Sequence, residues 1–117
     1  MPRIALAALA LFLFAAPAAA QNEGKWGAIA YGGADQASGW AVDYPSREEA
    51  RQAALDACGG RCTRTISFLR TCAAVAESPS GAAGWSVNRF RGRAIARARA
   101  RCASADCDAV AWACTTH

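Results

Sequence analysis

Apolar and polar positions alternate along the chain in two tempos, and the changes of tempo mark the elements. Residues 26–31 and 39–44 are short apolar runs separated by Gly32-Gly33 and the polar stretch Asp35-Gln-Ala-Ser38, which predicts two strands of a hairpin. Pro45-Ser46 ends the second strand and opens a helix: Ser46 with Glu49 three residues on is a capping-box pattern, and Glu48 and Glu49 suit the positive end of the helix dipole. Ala50, Ala53, Ala54 and Ala57 then recur at helical spacing, and Gly59 is a left-handed stop just past Cys58. From Thr63 the period returns to two, with Ile66 and Phe68 alternating against Thr65 and Ser67. The run predicts one long or slightly broken strand reaching Val75. After the turn Ser78-Pro-Ser-Gly81, a strand is expected over 84–88, a second helix over 90–102 and a last strand over 108–114.

The pattern repeats itself. Trp26 and Cys72, Trp40 and Trp85, Cys58 and Cys102, and Cys62 and Cys107 stand 44 to 46 residues apart, which reads as one duplicated unit whose copies complete each other's core. The expected fold is α+β, with two pseudo-repeated β-β-α-β units (26–71 and 72–117) and two Ala-rich helices packed on a mainly antiparallel sheet.

The N-terminus changes the picture of where this fold works. Met1-Pro-Arg3 is basic, residues 4–16 are apolar, and Ala18-Ala-Ala20 offers small residues before Gln21, so residues 1–20 read as a signal peptide cleaved near Ala20. The apolar run is shorter than the roughly 20 residues that span a bilayer. Residues 21–25 are then a short tail, and 26–117 form one domain in a secreted or periplasmic protein.

All six cysteines follow the cut, and an even number in a small exported domain implies a disulfide framework. The repeat suggests local pairs, Cys58 with Cys62 and Cys102 with Cys107, leaving Cys72 for Cys114. A rival scheme joins Cys58 to Cys102 and Cys62 to Cys107 across the repeat axis, and four of these thiols could instead hold zinc. The oxidising compartment favours disulfides.

Trp26-Gly-Ala-Ile-Ala-Tyr31, the Gly-Trp pairs, Ala-Ala-Leu-Asp-Ala-Cys58 and Cys72-Ala-Ala-Val-Ala76 together resemble a small exported bacterial group, domain-of-unknown-function family 4189. The resemblance runs from about Trp26 to Cys114. It implies export, disulfides and this fold, and supplies no catalytic residues. The second helix departs from the first by heavy arginine substitution.

Candidate chemistry is sparse. The one histidine is His117, the last residue, so no positioned imidazole is available for a Ser-His-Asp or Cys-His arrangement. Asp35, Asp43, Glu48, Glu49, Asp56, Glu77, Asp106 and Asp108 could serve a glycosidase-like pair, but their spacing suits solvated or capping roles. Trp26, Trp40, Trp85 and Trp112 could stack on sugar rings, although such positions more often belong to a core or its edge. Charge is informative only where it clusters. Arg89, Arg91, Arg93, Arg97, Arg99 and Arg101 crowd the second helix, and Arg89, Arg93, Arg97 and Arg101 follow at i+4, with Ile95, Ala98 and Cys102 expected inward.

This stripe is the candidate site for an anionic surface, weighed against a plain solvated face. No catalytic, cofactor-binding or metal-binding residue is assigned. The leading expectation is a non-enzymatic, exported interaction module that binds an unknown protein partner or an anionic envelope component, with no specific nucleic acid. The alternatives are an envelope hydrolase using scattered carboxylates and a structural or stress-protective periplasmic protein.

Overall fold

The computed structural model describes residues 24–116. The signal segment expected over 1–20 and the terminal His117 lie outside the described residues. The first unit runs β1 (Trp26–Tyr31), β2 (Gly39–Tyr44), α1 (Arg47–Ala57) and β3 (Arg64–Leu69). The second repeats the order as β4 (Cys72–Glu77), β5 (Ala83–Asn88), α2 (Arg91–Arg101) and β6 (Asp108–Cys114).

The strands divide between two three-stranded antiparallel sheets, β2-β1-β3 and β5-β4-β6. In each, the unit's first strand is the middle one. The run expected from Thr63 to Val75 breaks at Arg70, whose positive φ of 55° ends one sheet and starts the next. This break is what separates the two units.

Strand alternation then assigns the layers. Along β1, Ile29 and Tyr31 point one way and Ala28 and Ala30 the other, because successive side chains leave opposite faces. Ile29, Tyr31, Ile66 and Phe68 of the first sheet pack against Ala73, Val75, Ala111 and Ala113 of the second. On the outer faces, Ala28 and Ala30 lie under Ala50 and Ala54 of α1, and Ala74 and Ala76 lie under Ala94 and Ala98 of α2. The order is helix, sheet, sheet, helix. On α2 the inward residues are Ala94, Ala98 and Cys102, while Ile95 is only half-buried.

Methyl-sized side chains let each helix lie close to its sheet, and one glycine per unit completes the approach. A Cβ on Gly39 would sit 2.6 Å from the Ala54 carbonyl oxygen and the Cys58 nitrogen. On Gly84 it would sit 2.5 Å from the equivalent Ala98 and Cys102 atoms. The Gly-Trp pair therefore recurs because the last helical turn rests on its glycine.

The helices start differently. Ser46 Oγ accepts from the Glu49 backbone N–H at 3.2 Å, capping α1, and donates to Glu49 Oε2 at 2.8 Å, so the Glu49 carboxylate meets the Ser46 hydroxyl where a full capping box would have it meet the Ser46 backbone N–H. The cap position of α2 is Phe90, which provides no such bond, and no acid occupies its first turn. Three disulfides fasten the units: Cys58–Cys62 beyond α1, Cys102–Cys107 beyond α2, and Cys72–Cys114 between directly opposed residues of β4 and β6. Polar bonds stitch the units together. Gln36 Nε2 donates to the Glu77 carbonyl at 3.0 Å, and Thr116 donates its backbone N–H (2.8 Å) and hydroxyl (3.0 Å) to Asp43 Oδ1.

Candidate functional site

Burial of only Ala94, Ala98 and part of Ile95 leaves the rest of α2 to solvent, and that is where the arginines are. Arg93, Arg97 and Arg101 lie on the helix, Arg89 just before it, and all four are exposed, as are Arg91 and Arg99. Among the described residues the one carboxylate ion pair is Arg51 with Glu48 on α1. None of the six arginines of the α2 region has an acidic partner there; at 100° per residue Arg89, Arg93, Arg97 and Arg101 follow one drifting stripe, with Arg91 and Arg99 to its sides.

Aromatic rings lie under several of these cations. The Arg89 and Arg93 guanidiniums stand 5.3 and 4.9 Å from the Phe90 ring centre, and Arg91 stands 4.5 Å from the Trp112 ring. Phe90 is 50% exposed and Trp112 43%. Cation–π attraction in this range helps to keep an exposed ring and its guanidinium together. Arg101 instead donates to the Trp85 carbonyl oxygen at 3.1 Å, which ties it to β5. Spacing along the chain isolates the arginines and marks Phe90 only as a helix start. The signal for it was present, since an aromatic residue stands where Ser, Thr, Asp or Asn is preferred.

The tryptophans do not form one platform. Trp26 packs beside the α1 cluster with Arg47 4.9 Å over its ring, whereas Trp40, Trp85 and Trp112 keep about half their surface exposed. Trp40 and Trp112 do share an open groove of about 830 Å³ between β2 and β6, with Val42, Ala57 and Val110. Ser38 Oγ spans one end of it by a 3.4 Å bond to the Val110 carbonyl.

The carboxylates are dispersed. Seven are exposed: Glu49 accepts from the Ser46 hydroxyl, Glu48 pairs with Arg51, Asp56 accepts from Gln52, Asp106 from Ser104 and Asp43 from Thr116, while Asp35 lies in the β1–β2 loop and Asp108 starts β6. Glu77 is the exception to the expected surface role. It is 4% exposed, and its Oε1 has no hydrogen-bond partner among the described residues. Its position equals that of Tyr31 in the first unit, so the duplicated fold turns this side chain toward the seam. Burial raises its pKa above the ordinary 4.5, and the Gly32 backbone and the Arg64 charge only partly offset this. It borders a polar cleft of about 380 Å³ between residues 33–36 and 77–81.

The six described cysteines are all oxidised in pairs, so none is available as a thiolate ligand. Among the described residues no cluster of His, Cys, Asp or Glu is suited to a metal ion, and no helix is long and apolar enough to cross a membrane.

Comparison with known proteins agrees with the architecture and stops short of chemistry. The chain is similar to the protein whose structure is described as the NMR structure of Rv1813c from Mycobacterium tuberculosis, with 26% identity and a TM-score of 0.60 over 97% of this chain and 94% of that one. No curated protein matches it. The profile of the family described as Domain of unknown function (DUF4189) matches residues 26–114, so the chain belongs to that family.

Proposed function

We propose that the protein is an exported, disulfide-stapled binding module that engages an anionic surface through the outer face of α2. The observation that carries this is the run of six exposed arginines, Arg89 to Arg101, without an acidic partner among the described residues. Holding like charges together on a short helix is unfavourable in isolation, by a few tenths of a kcal/mol for each i,i+4 pair. A polyanion removes that repulsion and is attracted by the summed field. Export is supported by the basic, apolar and small-residue sequence of residues 1–20 and by three disulfides, which persist outside the cytoplasm. The carboxylates support a hydrolase less, because seven are exposed at caps, turns and strand ends and Glu77 is buried.

The test is retention on a heparin matrix against a neutral matrix over a salt gradient. The protein is expected to elute from heparin late, and Arg93→Ala/Arg97→Ala/Arg101→Ala much earlier. Equal elution of the two would remove α2 as the binding face.

A further inference from the structure

The anionic reading leaves the exposed rings unexplained. Phe90 and Trp112 are large apolar groups kept half in water, each with a guanidinium within 5 Å of its ring centre. A polyanion such as heparin or nucleic acid rewards the cations but offers no apolar depth for these rings. An acidic protein surface would offer both only through a fitted match, and a fitted match calls for side chains held in place. All six arginines are long and exposed: Arg89, Arg91 and Arg93 rest only against half-exposed rings, and among the described residues Arg101 alone of the six makes a side-chain hydrogen bond. Such a face suits a fluid array of phosphates with hydrocarbon just beneath it, where aromatic rings settle at headgroup level and guanidiniums reach the phosphates.

We infer that the surface is an anionic phospholipid bilayer, with the guanidiniums of Arg89, Arg91, Arg93 and Arg97 at the phosphates and the rings of Phe90 and Trp112 set into the headgroup layer. This rests on the anionic-surface reading and names its target. Charge complementarity supplies the attraction: each basic side chain near an anionic bilayer strengthens binding about fivefold. Phe90 adds apolar burial of half a ring, again about fivefold. The cap position also makes a clean variant available, because serine at Phe90 removes the ring while introducing a preferred helix cap.

The experiment is co-sedimentation of the exported protein, its N-terminus read by mass spectrometry, with vesicles of phosphatidylglycerol in phosphatidylcholine and with pure phosphatidylcholine. Phe90→Ser and Arg93→Ala/Arg97→Ala/Arg101→Ala are compared with the parent, and heparin elution is recorded for each. The parent is expected to bind the anionic vesicles and not the neutral ones. The triple variant, which removes two of the four phosphate contacts, should bind about 25-fold more weakly. Phe90→Ser should bind the anionic vesicles about fivefold more weakly while leaving heparin at the parent's salt concentration. Heparin retention without vesicle binding overturns the bilayer and leaves the anionic reading standing. Unweakened vesicle binding by Phe90→Ser, or equal binding to neutral vesicles, also overturns the bilayer inference. Failure on vesicles and heparin alike removes both readings.

Discussion

Replacing Gly84 by alanine adds one methyl group at the point where α2 rests on β5. The new Cβ would lie 2.5 Å from the Ala98 oxygen and the Cys102 nitrogen, 0.9 Å inside the 3.4 Å at which ordinary contact begins. Both obstructing atoms are backbone, so no side chain can swing away and the last turn of α2 has to lift. Overpacking of this kind costs about 3 kcal/mol. Alanine also restricts the unfolded chain, which returns somewhat under 1 kcal/mol. The net expectation is a loss of about 2 kcal/mol, or a midpoint lowered by about 10 °C for a domain of this size.

Gly92→Ala makes the same chemical change eight residues along the chain from Gly84. Gly92 is the second residue of α2 with nothing within 4 Å of an added Cβ, so this variant should gain up to about 1 kcal/mol from helix propensity. The assay is thermal unfolding by circular dichroism under non-reducing conditions, with both variants beside the parent. The close-approach argument fails if Gly84→Ala unfolds within a degree or two of the parent, or if the two substitutions move the midpoint the same way.

Other perturbations test other parts of the structure. The folded state holds the Glu77 proton more tightly than the unfolded chain does, so its contribution is fully present below about pH 4.5 and declines as pH rises through its raised pKa. Glu77→Gln should therefore gain midpoint relative to the parent as pH is raised above 4.5, and a constant difference across pH would refute the buried-carboxyl reading. Cys72→Ala/Cys114→Ala opens the disulfide that closes 42 residues of sequence separation, and denaturant unfolding should show a loss of about 4 kcal/mol. Removing both partners of Cys58–Cys62 should cost about half as much in the same assay. Ser46→Ala should cost about 1 kcal/mol through loss of the α1 cap, measured by the same unfolding curve.

Much of the architecture could be read from residue order because its signals are local. The Ser46 cap, the alanine spacing of α1 and the alternation of Ile66 with Phe68 each act over a few residues, and each element formed where those signals lie. The division into two sheets was not legible. Ile29 and Tyr31 would alternate with Ala28 and Ala30 whether β1 faced solvent, a helix or a second sheet, and only the break at Arg70 decides among these. Nothing in Arg70-Thr71 distinguishes it from a strand interior, since arginine rarely takes a positive φ.

For the candidate site, the arginine stripe follows from spacing, but the pairing of Arg91 with Trp112 joins residues 21 positions apart and requires the fold. The burial of Glu77 was equally hidden, because a glutamate at a strand end carries no mark of which layer it will face.

The alanine and glycine contacts beneath the helices also bear on how the two copies could diverge. A helix seated through methyl groups on a small-residue bed makes its close fit with its inner edge, and most of its outer residues take no part in that fit. The same footing supports an α1 bearing Glu48, Glu49 and Asp56 and an α2 bearing arginine at every second or fourth place. Duplication thus produced one mount with two independent display surfaces, each free to acquire a new charge without reworking the interior.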